Sequence, residues 1–442
     1  MSYAAAIDQL SAMGPELYAW PGQPRRKFSL DEIRVLLAVL GDPQLRFPSV
    51  LIAGTNGKGS TASTLASILT ASGVRTGLYT SPHLARVNER IRIGEAEIGD
   101  DAFAGLYFRV HDEAQRLVEM GSLPQLPSFF EILTAQALLY FAESEVGLAV
   151  LEVGMGGRLD ATNIVDPLVS VITDISLDHT EWLGLSIAAI TREKAGILRR
   201  SGTLITLPQH AEANQVLDEV ATELGVRGVS AAAWLAPIGW GTVASYAVEA
   251  LGERVEVASP LSGAHQQRNV ALAIAAAVEL RSAHGFPVTP ASIGAGIRQT
   301  RWPGRLERIA TGGVEWILDV AHNPGGAWAL RAGLTELLDE RRPRTLIFSC
   351  LRDKPAAEMA RILFPLFDRV IFAPIHSARA AAMEDLEAAA RSTGTAAVVA
   401  GSVREALRQA GERGQGGAIV VSGSVYLVGE ARSLLLGGGV EL

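Results

Sequence analysis

Residues 50–63 read VLIAGTNGKGSTAS: an apolar run breaks into three glycines, a lysine and a string of small hydroxylated residues. The commonest phosphate loop, G-x-x-x-x-G-K-[ST], requires a glycine six residues before its lysine. Ile52 occupies that position, so Gly54, Thr55, Asn56, Gly57, Lys58, Gly59 and Ser60 form a shorter loop. Its setting is right. SVLIA (49–53) has the composition of a buried strand, and residues 60–71 read as a helix. Backbone N–H groups in a glycine turn at a helix start bind phosphate oxygens through hydrogen bonds and the helix dipole. Lys58 would reach the terminal phosphates and the Ser60 hydroxyl would hold Mg²⁺. A glycine-rich turn that binds nothing seldom supplies lysine and hydroxyl in step.

Working outward, TGLYT (76–80), LAVLEV (148–153), LVSVIT (168–173) and TLITL (203–207) are apolar strand candidates. FFEILTAQALLYFAES (129–144) carries the i, i+3, i+4 stripe of a helix. SLDEIRVLLAVL (29–40) opens with Ser and an acidic pair, as a capped helix does. Alternation of this kind predicts an α/β protein whose N-terminal P-loop domain has a mostly parallel, doubly wound sheet. Residues 225–260 change to short alternating segments, which suggest a small antiparallel patch, and NVALAIAAAVEL (269–280) reads as a helix. Past a hinge near Gln299–Trp302, the strands WILDV, RTLIFSC, RVIFAPI, AAVVA and AIVVSG predict a smaller, Rossmann-like α/β domain. The expected division is 1–299 and 300–442, which suits a chain too long for one ordinary core.

Composition narrows the function classes. The 39 basic residues are outnumbered by 47 acidic ones, a net charge of -8, and no dense Lys/Arg block is present to neutralise a nucleic-acid backbone. Nucleic acid is not an expected partner. Cys350 is the single cysteine, which excludes an internal disulfide and reads as a small buried residue ending a strand. The opening residues lack the basic start and apolar core of a secretory signal, and no stretch reaches the roughly 18 apolar residues of a membrane span. The expected setting is the cytoplasm, without membrane association.

Other stretches bear chemistry at the carboxyl edge of the predicted sheet, where open α/β folds bind ligands. In LEVGMGGRLDATN (151–163), Glu152 ends a buried strand and is a natural Mg²⁺ ligand, while Arg158 and Asp160 either approach a ligand or pair with each other. In TDISLDHTEWLGLSIAAITREKAGILR (173–199), His179 is either a second metal ligand or a satisfied structural histidine, and Glu193 and Lys194 by themselves read as a solvated pair. YTSPHLARVNERIRIG (79–94) sets Arg86, Arg90 and Arg92 against Glu89, which suits either an anionic substrate or a solvated edge. ILDVAHNPGG (317–326) puts Asp319, His322 and Asn323 beyond a strand of the second domain, as a turn or as the far wall of a cleft.

GTNGKGS, SPHL…NERI, EVGMGGRLDATN, LDHTEWLG…EKAGI, HQQRN, PGRLE, D-x-AHNP and SGSVYLVGE occur in this order from about residue 30 to 430. Together they closely resemble folylpolyglutamate synthase and its bifunctional dihydrofolate synthase form, in the Mur ligase superfamily. The resemblance implies an ATP-binding first domain with folate-binding loops and a glutamate-binding second domain. It implies that Lys58, Gly59 and Ser60 hold ATP phosphates and Mg²⁺, with Ser81 and Glu152 at the first of two metal sites, His179 at the second, and Lys194 carbamylated. It assigns Asn269, Arg305 and Asp319 to ATP, and His322 and Ser422 to the incoming glutamate. Ser81, Pro82, His83, Arg90 and Phe129, with the loop carrying Arg158 and Asp160, correspond to the folate region, where an aromatic wall suits a flat pterin. The chain departs from the family's usual pattern at Leu51 for His, Met155 for Leu and Val320 for Gly.

The implied reaction is amide formation between a carboxylate and L-glutamate, with dihydropteroate, tetrahydrofolate derivatives or both as acceptors. The expected active unit is a monomer. ATP would convert the unreactive carboxylate to an acyl phosphate, which the amine then attacks. The alternative is another Mur-type ligase acting on a UDP-muramyl substrate, against which stand the short region before the loop and the folate-type strings. A non-catalytic nucleotide switch would not need Lys58, Glu152, His179 and Lys194 together.

Overall fold

The computed structural model describes residues 2–13, 29–237, 245–338, 343–412 and 417–437. Among these, the first sheet contains β1 (Ser49–Ala53), β2 (Thr76–Tyr79), β3 (Ile91–Ile93), β4 (Ala96–Glu97), β5 (Leu148–Glu152), β6 (Val169–Ile172), β7 (Thr203–Thr206) and β8 (Arg227–Ser230). Its order is β4-β3-β2-β5-β1-β6-β7-β8, and pairing is parallel throughout except where β3 and β4 fold back antiparallel beside β2. Alternate side chains of a strand face opposite ways. Accordingly, Val50 and Ile52 enter the core under the helices Lys58–Ala71 and Ala264–His284, while Leu51 and Ala53 enter the core on the other face. Helices cover both faces, which is why strands such as β1 and β5 are apolar without interruption.

The antiparallel patch expected over 225–260 is smaller than that. Only β9 (Tyr246–Ala250) and β10 (Glu253–Val257) form it; residues 227–230 extend the main sheet in parallel as β8. The helix expected over 269–280 runs from Ala264 to His284, so the polar HQQRN segment forms its first turns. The early helix begins at Asp31, with the Ser29 hydroxyl accepting the Asp31 N–H one position before the cap.

The second sheet comprises β11 (Glu307–Thr311), β12 (Val314–Asp319), β13 (Arg344–Phe348), β14 (Arg369–Phe372), β15 (Ala396–Val399) and β16 (Ala418–Ser422), in the order β11-β12-β16-β13-β14-β15. Only β11 is antiparallel. Trp316 and Leu318 pack on one face and Ile317 on the other, so this sheet also has two cores. Cys350 is buried just past β13.

The two bodies are in close contact. Leu84, from the loop after β2, packs among the core residues of the second sheet, and a Cβ on Gly429 would lie 1.9 Å from the Leu84 carbonyl oxygen. That contact, with the shared cleft described next, brings the carboxyl edges of the two sheets together. No helix among the described residues is long and apolar enough to cross a membrane.

Candidate functional site

The loop after β1 is fixed by the tail of β6. The N–H groups of Thr55 and Asn56 donate to the Asp174 carbonyl at 2.9 and 3.2 Å, and Thr55 and Ser176 exchange hydrogen bonds. Those two amides are therefore engaged. The amides left for an anion are in the first turn of the helix Lys58–Ala71, which by helix geometry have no intrahelical partner. Gly57 caps that helix with φ +90°, and a Cβ there would lie 2.1 Å from Asn269 Oδ1. Glycine is needed at 57 for both reasons.

Two lysines converge beneath the loop, Lys58 half-buried and Lys194 buried. Lys58 Nζ donates to the Gly54 and Thr55 carbonyls at 3.1 and 3.2 Å, and Lys194 Nζ donates to the same Gly54 carbonyl at 2.7 Å. Burial, reinforced by the nearby Lys58 charge, brings the Lys194 pKa down to about 7. Lys58 is also lowered by burial, against the pull of Glu152 and Asp178. Glu152, at the end of β5, shows the converse: burial raises its carboxyl, and the charge of Lys58 and the Ser81 N–H at 3.0 Å oppose the rise. Desolvation penalises either charge, and each partly compensates the other.

Asp178 joins the two domains. Its carboxylate accepts from Lys354 Nζ at 2.6 Å and from Asn323 Nδ2 at 2.9 Å, with His322 Nε2 at 3.8 Å and His179 Nε2 at 4.0 Å. Burial alone would raise this carboxyl, but the surrounding His179, Lys354 and His322 hold it far below the usual carboxylate range. Asn323 also donates to Asn56 Oδ1 at 3.1 Å, tying the phosphate loop to the second domain. Burial lowers His179 to about 3 and His322 to about 4, so both imidazoles are neutral at physiological pH.

Between these groups opens a cavity of about 460 Å³. Asn56, Gly57, Ser60 and Asn269 line it from the first domain, and Arg305, Asp319 and His322 from the second. Asp319 is held by backbone amides, accepting from the Leu306 and Ala321 N–H groups at 2.9 Å each. Arg305 Nε is buried with no hydrogen-bond partner. A buried guanidinium N–H without a partner is an exception that calls for an explanation, and Arg305 as a residue lines the cavity.

Ser81, Pro82, His83 and Arg90 follow β2. Arg90 Nε donates to His83 Nδ1 at 2.9 Å, and its guanidinium lies 5.2 Å above the Phe129 ring. Burial, then the Arg90 charge, takes His83 down to about 3. The Arg158–Asp160 pairing left open above does not form. Arg158 instead pairs with Glu193 at 2.9 Å, so Glu193 is not simply solvated, and Asp160 accepts from Met155 N at 2.9 Å and Thr162 N at 3.0 Å to hold its own loop. Ser422 ends β16 with its hydroxyl buried and unpartnered.

Residues 52–277 match the Mur ligase middle domain, and residues 304–425 match the Mur ligase glutamate ligase domain. The chain is 35% identical to a folylpolyglutamate synthase of Lacticaseibacillus casei over 92% of its own length and 94% of that protein. It belongs to the folylpolyglutamate synthase family. It is also 35% identical to a dihydrofolate synthase/folylpolyglutamate synthase of Mycobacterium tuberculosis, over 94% of this chain and 91% of that one. A solved FPGS–AMPPCP–folate complex superposes with a TM-score of 0.82 at 33% identity, covering 99% of this chain and 100% of the other.

The departures from the family's sequence pattern are absorbed locally. Leu51 is fully buried within one face of the first sheet. Val320 is buried, lies outside the left-handed backbone region, and gives its carbonyl to His322 Nδ1 at 2.9 Å. Sequence reasoning missed Lys354, the residue that pairs with Asp178. It lies six residues past β13, at the same carboxyl edge that drew attention to Asp319 and Glu152, and that position was the available signal.

Proposed function

We propose that this chain is an ATP-dependent ligase that joins L-glutamate to dihydropteroate, to the γ-carboxylate of folyl(poly)glutamates, or to both, through an acyl phosphate. The observation that carries the reading is the cavity built from both domains, with the phosphate-loop helix start on one side and an unsatisfied Arg305 on the other. Nucleotide and acceptor site types are both represented among its relatives, one of which is solved with AMPPCP, an ATP analogue, and folate together.

In this reading Gly54 to Ser60 cradle the phosphates, Asn269, Arg305 and Asp319 orient the nucleotide, and Lys58 swings from its loop carbonyls to the terminal phosphate. Positive charge there offsets negative charge developing on the transferred phosphoryl group. Ser81 to Arg90 and Phe129 hold the pterin, the loop of Arg158 and Asp160 borders it, and His322 and Ser422 take the incoming glutamate. Contact between the domains excludes water that would hydrolyse the acyl phosphate. We place the functional boundary at residues 299–300, so that 1–299 hold folate and most of ATP, and 300–442 hold glutamate and contribute Arg305 and Asp319 to the nucleotide.

Mg²⁺ fits the donor set. Among the described residues no three His, Cys, Asp or Glu side chains converge as a metal cage. Mg²⁺ needs no such cage when phosphates supply most of its ligands, and Ser60, Ser81, Glu152 and the neutral His179 are oxygen and nitrogen donors around the loop. Two ions bound there would neutralise phosphate charge. Lys194 is suited to carbamylation, because only a neutral amine attacks CO₂. At a pKa of about 7 roughly half the amines are neutral at pH 7, against about one in three thousand at the ordinary value. Starting from that neutral amine, the product would be a carbamate anion beside Lys58, with one proton released.

The acidic composition and single cysteine agree with a cytoplasmic setting, and we take the active unit to be a monomer. The test is phosphate release from ATP with L-glutamate, supplying dihydropteroate and tetrahydrofolate separately. Release that depends on either pterin supports the reading. Release that depends only on a UDP-muramyl substrate, or none with any acceptor, overturns it.

A further inference from the structure

The helix Lys58–Ala71 behind the phosphate loop is fastened along one stripe to the helix Pro290–Gln299 and to the interdomain linker that follows it. Ser67 Oγ donates to the Gly296 carbonyl at 2.7 Å and Ser63 Oγ to the Arg301 carbonyl at 3.1 Å. Four residues earlier, a Cβ on Gly59 would lie 2.5 Å from the Trp302 ring. Positions 59, 63 and 67 face one way on a helix, so the linker runs back along the helix until its indole covers the first turn. The Arg92 guanidinium lies 5.9 Å above the same ring, which is therefore contacted from the strand after the Ser81–Arg90 loop as well.

The hand-over to the second domain is abrupt. Gly304 already belongs there, its carbonyl accepting from Val320 N at 2.9 Å and its N–H donating to Glu307 at 2.8 Å. Pro303, with φ fixed by its ring, is the one residue between Trp302 on the phosphate-loop helix and Gly304 on the second sheet. Arg305 follows at once and lines the nucleotide cavity.

We propose that Trp302 is a positioning residue: its contact with Gly59 fixes the linker against the phosphate loop and thereby sets how Arg305 enters the nucleotide cavity. The inference rests on reading that cavity as a nucleotide site. A smaller side chain at 302 removes the spacer, and Arg305 then loses its defined approach although its own side chain is intact.

A double-variant cycle on the full chain tests this. Residues that act through one another give non-additive losses, whereas independent ones add. AMPPCP affinity by calorimetry and ATP KM are measured for the parent, Trp302→Leu, Arg305→Ala and the double variant. Trp302→Leu is expected to weaken AMPPCP binding and raise ATP KM about tenfold, with glutamate KM changed less than threefold. Trp302→Phe, which keeps a ring over Gly59, is expected to stay within threefold of the parent. The double variant is expected to be no more than about threefold worse than Arg305→Ala alone. Additive losses, or parental AMPPCP binding in Trp302→Leu, overturn the proposal. Should Trp302→Leu not fold, the cycle is run with Trp302→Met, which also takes the ring from Gly59, and additivity there overturns it equally. A parent chain that does not bind AMPPCP refutes the nucleotide reading itself, and this inference with it.

Discussion

Lys354 Nζ lies 2.6 Å from Asp178 Oδ1, and the two side chains, 5% and 9% exposed, come from loops that follow strands of different sheets. A buried pair with one partner removed leaves an uncompensated charge, which typically costs about 3 kcal/mol or more. Lys354→Met is therefore expected to lower unfolding stability by about 3 kcal/mol, and Asp178→Asn in the same chain to return part of it. Urea unfolding of the two single variants and the double variant measures this. Equal stability of Lys354→Met and parent would show that the pair contributes nothing.

The same pair gives a pH dependence with a definite sign. The folded Asp178 carboxyl titrates below its unfolded value of about 3.9, so its stabilisation is present above that value and is lost as pH falls. The stability difference between parent and Lys354→Met should be constant from about pH 5 to 8 and shrink below about pH 4. A difference that grew on acidification would reverse the assignment.

Lys194 carries the same sign into a higher pH window. Its folded pKa of about 7 lies below the unfolded value, so the unfolded chain binds more protons between about pH 7 and 10, and the unmodified lysine favours folding more as pH rises. Carbamylation is read directly with ¹³C-labelled bicarbonate. A carbamate resonance is expected in the parent and not in Lys194→Arg, and removal of dissolved CO₂ should depress activity in the parent alone. A parent without that resonance, at full activity, would remove the modification from the reaction.

Arg90 tests the acceptor side independently of ATP. Its Nε–H reaches His83 while its plane covers Phe129, and a lysine can reproduce neither the planar fork nor the stacking. Arg90→Lys is expected to raise the KM for the pterin substrate about tenfold while ATP KM stays within twofold. Steady-state kinetics with each substrate varied in turn separates the two, and a change confined to ATP would place Arg90 elsewhere in the cycle.

The sheet strands and the phosphate loop were legible because their signals are local: β1, β2, β5, β6 and β7 are short apolar runs that end in glycine or polar residues, and all lie within a residue or two of their expected limits. The stretches that misled lack such a signal. Arg227–Ser230 is mostly exposed at a sheet edge and carries no apolar run, so nothing in it distinguishes a parallel edge strand from a hairpin. HQQRN is polar because it faces the cavity, which hides its helical period. Trp302 and Leu84 matter only through contacts made across the domains, and no spacing along the chain encodes those; Lys354 had only its place beyond β13 to mark it. Lys194 was legible as chemistry only through resemblance, since its burial and its shared carbonyl with Lys58 are tertiary facts.

Ser422 offers a test in which stability and activity should part. Its hydroxyl is fully buried and has no hydrogen-bond partner, a condition that costs folding free energy. Ser422→Ala removes that cost with little change of volume, so the variant is expected to be as stable as the parent or more stable by up to about 1 kcal/mol. If the hydroxyl is kept for a substrate, the glutamate KM should rise about tenfold while the ATP and pterin KM values hold, since one neutral hydrogen bond is worth about 1 kcal/mol and more when its partner is a carboxylate. Thermal unfolding and glutamate-dependent phosphate release together decide it. A stable variant with an unchanged glutamate KM would mean that the serine serves only packing at the end of β16.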